Sequence, residues 1–136
     1  MTLWLSGMRV TAGRLQAATP WVALSSLGTY QNGASDGSVQ PMARDLLIRD
    51  ERVREFKGIV NFSGVTTSSY TFFTFGSAYF PDYERDWAGA GIGGSSPFRV
   101  FLSTAGNWGL TGQTAGITSM RLDDFQIKSA TGAIPG

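Results

Sequence analysis

Turn chemistry recurs so often along this 136-residue chain that no stretch is left for a long amphipathic helix. Asn32-Gly33, Asp36-Gly37 and Gly106-Asn107 are turn dipeptides, and Asp50-Glu51 is a tight polar connection that reads as the turn of a hairpin. Between such signals lie short apolar and aromatic runs: Trp21 to Tyr30, Arg44 to Arg49, Val53 to Phe62, Tyr70 to Phe75, Phe98 to Ser103, Trp108 to Thr111 and Ser119 to Lys128. A half-buried strand has a period of two, which Phe56, Gly58, Val60 and Phe62 show, with Arg54 in line at the solvated end. Runs of this length and spacing predict an all-β fold, an antiparallel β-sandwich of jelly-roll kind, with a closed antiparallel barrel as the second arrangement. The stretch from Gly76 to Pro97 reads as a long, ordered surface loop carrying Tyr79, Phe80, Tyr83 and Trp87.

Residues 1–19 have a different character. Thr11 is placed to cap a short helix from Ala12 to Ala18, Leu15 and the alanines give it a small apolar face, and Pro20 ends it. A helix of about two turns is unstable alone in water, so it must dock. The chain therefore divides into an anchoring arm over 1–19 and a β-sandwich domain over 20–136, a length suited to one core. With 42% hydrophobic and only 15% charged residues, part of the apolar surface is expected to meet partner subunits.

Catalytic chemistry has little to work with. The chain has no histidine and no cysteine, hence no side chain that ordinarily titrates near neutrality and no thiolate nucleophile or soft metal ligand. An enzyme, a cofactor and a metal site are accordingly not expected. A net charge of +1 supplies no field for nucleic acid. Met1-Thr2-Leu3-Trp4-Leu5 lacks the basic flank and apolar length of a signal peptide, and no run approaches the ~20 apolar residues of a membrane span. The expectation is folding in a cytoplasm, without membrane insertion.

Three patterns imitate chemistry. Gly89, Gly91 and Gly94 satisfy the letters of a dinucleotide fingerprint, but Tyr83 to Trp87 before them and Ser95-Ser96-Pro97 after them supply neither the buried strand nor the helix that it requires. Asp82, Glu84 and Asp86 share a loop, and Asp123-Asp124 share a strand whose adjacent side chains point to opposite faces; both sets read as solvated acids rather than a calcium or glycosidase site. The interleaved charges from Arg44 to Lys57 read as cross-strand ion pairs on a solvated face, or as a contact that sets register with a neighbour.

Taken in order, several segments resemble the small β-rich virion proteins of tailed bacteriophages, especially the minor tail and adhesion-type proteins of actinobacterial phages. Gly7-Met8-Arg9-Val10-Thr11-Ala12-Gly13-Arg14-Leu15 with Pro20-Trp21 is similar to their N-terminal arm. Arg44 through Gly64 is similar to their strand pair, closing on Gly58-Ile59-Val60-Asn61-Phe62-Ser63-Gly64. Phe72-Phe73-Thr74-Phe75 followed by Tyr79-Phe80-Pro81 matches an apolar strand and an aromatic, proline-bearing turn, and Phe98 to Leu110 and Met120 to Ile127 resemble the closing strands.

The resemblance implies a non-enzymatic virion protein that assembles as a homotrimer beside other virion proteins, either tail-associated and receptor-binding or a capsid decoration protein. A carbohydrate-binding module is the further alternative. It makes Trp4, Leu5, Met8, Arg9, Arg14 and Leu15 the candidate virion-anchoring residues. Aromatic faces on which sugars stack, beside charged groups that take hydroxyls, make Tyr79, Asp82, Tyr83, Arg85, Asp86 and Trp87 the candidate contacts to a host-surface glycan.

Overall fold

The computed structural model describes residues 16–48, 50–94, 97–123 and 125–134. Its first strands are β1 (Gln16–Ala18), β2 (Val22–Ala23), β3 (Gly28–Tyr30), β4 (Ser35–Asp36), β5 (Met42–Ile48), β6 (Glu51–Lys57) and β7 (Ile59–Asn61). The remainder are β8 (Tyr70–Phe75), β9 (Arg85–Gly89), β10 (Gly91–Ile92), β11 (Phe98–Leu102), β12 (Asn107–Thr111), β13 (Ser119–Arg121) and β14 (Gln126–Lys128). Short 3-10 turns at Leu24–Ser26 and Ser77–Tyr79 are the helical elements among the described residues, and no helix there is long and apolar enough to cross a membrane.

The strands form three sheets. One runs β1-β5-β6-β14, with β2 also on β5; a second runs β3-β8-β12-β11-β9; a smaller third runs β10-β13-β7-β4. The pairings are antiparallel, and the sheets are open at their edges, so the molecule is an all-β sandwich rather than a closed barrel.

Several expected strands prove to be two. Val53 to Phe62 breaks at Gly58, where the chain leaves the first sheet as β6 and enters the third as β7. Glycine is required there: φ is +104°, and a Cβ would come within 2.4 Å of the Gln40 carbonyl oxygen. Ser119 to Lys128 makes the same crossing in reverse. Asp123 therefore stands in the turn between β13 and β14 rather than on a strand, accepting a 3.0 Å hydrogen bond from the Gly58 amide, while Leu122 donates to the Gly58 carbonyl.

The helix expected over Ala12 to Ala18 is also corrected in its described part, because Gln16–Ala18 pairs with Leu46–Ile48 as a strand. Its N-terminal portion lies outside the described residues, as do Trp4, Leu5, Met8, Arg9, Arg14 and Leu15.

The core lies between the two larger sheets and is centred on Trp108. Around it stand Phe56 at 4.7 Å between ring centroids, Phe72 at 5.1 Å, Phe75 at 5.6 Å, Phe125 at 6.0 Å and Trp87 at 6.2 Å. Pairing between β12 and β8 slips beside Trp108, and the consecutive Phe72 and Phe73 are both fully enclosed there.

Arg54 departs most from expectation. Instead of lying at a solvated end it is 1% exposed, its Nε donating to Asp45 Oδ1 at 2.8 Å and its Nη2 to Oδ2 at 3.1 Å. Its remaining donors reach the carbonyls of Thr131 and Gly132, and the Ile134 amide donates to Asp45 at 2.9 Å. The opposite face of the same hairpin keeps the expected cross-strand lacing: Arg44 pairs with Glu55 at 3.5 Å, and the cations of Arg44 and Lys57 both lie over the Trp21 ring.

Candidate functional site

The stretch expected as one loop holds β9 and β10 in addition to a 3-10 turn, and the alternation of β9 decides which of its side chains face solvent. Arg85, Trp87 and Gly89 face inward; Asp86 and Ala88 face outward.

The six expected contact residues thus separate into groups. Asp82, Tyr83 and Arg85 come together. Arg85 is nearly buried, donating to the Lys128 carbonyl at 2.7 Å and to Asp82 at 3.3 Å, and its guanidinium lies 3.8 Å over the Tyr83 ring. Tyr83 itself is 54% exposed, so it presents a flat apolar surface held from behind by a fixed cation.

Asp86 belongs to a second group that sequence reasoning did not assemble. Arg99, on the neighbouring strand β11, donates to Asp86 at 2.7 Å and to Glu84 at 2.8 Å. The hydrogen bond that Arg99 donates to Asp86, with the charges of Asp86 and Glu84 behind it, raises Arg99 above the ordinary arginine pKa.

Trp87 and Tyr79 turn the other way. Trp87 is half-buried against Trp108 and Phe125, and Tyr79 is half-buried with Arg54 5.2 Å from its ring. Both rings therefore pack partly against the core and present only part of their surface to solvent, which the parity of β9 explains for Trp87.

Other suspected chemistry disperses. Asp82, Glu84 and Asp86 each bind an arginine instead of converging, and among the described residues no group of three or more His, Cys, Asp or Glu could hold a metal ion. Gly89 and Gly91 are strand residues that lead toward β11, not a phosphate loop before a helix.

Arg99 has one further neighbour. Phe101, two residues along β11 and so on the same outward face, lies with Arg99 5.8 Å from its ring and crosses Gly109 on β12, where a Cβ would meet the Phe101 ring at 2.7 Å. An aromatic at the outward parity of a strand, opposite a glycine, is the signal that could have found it.

No family model matches the chain, and no curated protein matches it. Among solved structures it is similar to the receptor binding protein (gp15) of Listeria phage PSA, with a TM-score of 0.63 and 16% sequence identity over 86% of this chain and 68% of that one. At that identity the likeness shows a shared all-β fold.

Proposed function

We propose that this chain is a non-enzymatic structural protein of a tailed-phage virion, sited at the tail and acting in attachment to the host surface. The observation that carries the reading is the likeness of fold to a phage receptor binding protein over most of the chain. The absence of histidine and cysteine, and the engagement of the loop carboxylates by arginines, support a binding role over a catalytic one. The Listeria origin of the neighbour lends no support to an actinobacterial phage in particular.

Self-assembly is part of the proposal. Leu47 and Ile48 stand 46% and 40% exposed on opposite faces at the end of β5, apolar surface that the two neighbouring copies of a homotrimer would cover. Sedimentation equilibrium at tens of micromolar should give three times the chain mass, and a monomer would exclude a self-sufficient trimer. Antibodies raised against the purified chain, carried on gold, should decorate the tails of the particles that contain it. Labelling over the head would transfer the protein to capsid decoration.

A further inference from the structure

We infer that the outward face of the five-stranded sheet, centred on Phe101, is a binding surface for a neutral glycan; the inference rests on the attachment reading and names the surface and ligand class for it. The register places the participants. One row across the strands runs from Asp86 on β9 through Phe101 on β11 and Gly109 on β12 to Thr71 on β8. The row on one side holds Ala88, Arg99 and Thr111, and the row on the other holds Asn107, Thr74 and Thr29.

Neighbouring strands stand about 4.8 Å apart, and same-face rows about 6.7 Å apart. The face between Asp86 and Thr71 is therefore roughly 15 Å wide, long enough for two or three pyranose rings.

Its chemistry changes along that length. At the β9 end one cation is shared by two carboxylates, Arg99 being held by both Glu84 and Asp86. The middle is an aromatic ring whose tip occupies the space a side chain at Gly109 would fill, a Cβ there meeting the Phe101 Cζ at 2.7 Å. The β8 end is a shallow hollow lined by Gln31, Asn32, Thr71, Thr74 and Asn107, all amides and hydroxyls without a charge. Thr74 Oγ1 donates to Asn107 Oδ1 at 2.9 Å, and Asn32 Nδ2 donates to the Thr71 carbonyl at 2.7 Å. With its oxygen accepting from Thr74, the Asn107 side chain brings the donor half of its amide to the lining of the hollow.

A pyranose offers an apolar C–H face and a rim of hydroxyls, so an aromatic platform flanked by fixed neutral donors and acceptors matches it group for group. A polyanion finds the reverse. Among the described residues the one cation on the face is already held by two carboxylates, which leaves a net negative charge where a phosphate or sulfate would need a positive one.

The test uses the whole protein on immobilised neutral oligosaccharides of hexoses and N-acetylhexosamines, with heparin beside them as a polyanion. Wild type should be retained on neutral glycans and not on heparin. Phe101→Ala should weaken that binding ~10-fold or more and Asn107→Ala several-fold, while Ile92→Ala, exposed on another sheet, leaves it unchanged. Melting curves are recorded for each variant, and Asn107→Ala decides the matter should Phe101→Ala unfold. Retention on heparin alone, no retention at millimolar glycan, or loss with Ile92→Ala but not with the face variants would overturn the inference. Tail labelling without glycan retention would remove the glycan surface and leave the attachment reading standing; glycan retention with head labelling would do the opposite.

Discussion

Arg54→Ala is expected to lower the stability of the protein by about 3–5 kcal/mol, a large part of what a domain of this size possesses. The cost lies in what the substitution leaves behind. Asp45 is 4% exposed, and without Arg54 its remaining contacts are Arg52 at 3.6 Å and the Ile134 amide. The carbonyls of Thr131 and Gly132 lose their donor in the same change. Urea unfolding at pH 7 measures the loss. The double variant Asp45→Leu/Arg54→Met, which buries no charge, should recover most of it, because a buried pair is costly to break and inexpensive to replace with packed apolar groups. A loss below about 1 kcal/mol in Arg54→Ala would show that water reaches this corner freely.

Trp87→Ala separates packing from adhesion at the position where sequence reasoning placed the stacking aromatic. The side chain rests on Trp108 and Phe125, so its removal opens a cavity against the centre of the core. Full truncation of a buried tryptophan costs about 3–5 kcal/mol; half-burial brings the expectation to about 2–3 kcal/mol. Thermal unfolding should register a drop of several degrees, with glycan binding by the folded fraction unchanged. A variant that melts like wild type yet loses binding would return Trp87 to the ligand surface.

What could be read before the structure was whatever is local. Short apolar and aromatic runs identified the strand residues of β5, β6, β8, β11 and β12, with a period of two in β6, and the turn signals located the breaks after β3, β4, β5 and β11. Sheet membership was not local. Gly58 looks like one more alternating position until Gln40 is found against it, and only that contact turns a long strand into a crossing between sheets. Arg54 sits among Arg52, Glu55 and Lys57, so its neighbours in sequence describe a solvated face, while the residues that bury it lie near 131–134. Asp86 and Trp87 were grouped because they are adjacent, and adjacency on a strand is what separates them. Phe101 was missed for the converse reason: its partners Gly109, Thr71 and Asp86 belong to three other strands.

The enclosure of Arg54 also orders events in time. β5 and β6 form a local hairpin, and Asp45 faces Arg54 across it as soon as it zips. The groups that shut water out are 77 and 78 residues away from Arg54 in the chain, and the Ile134 amide is 89 residues from Asp45. Loop closure of that span and dehydration of the ion pair therefore fall in one step, and an early hairpin keeps its charges hydrated until then. During synthesis, residues 131–134 must clear the ribosome before the first long hairpin can be sealed, so this sandwich closes only once the segment after β14 has emerged rather than progressively.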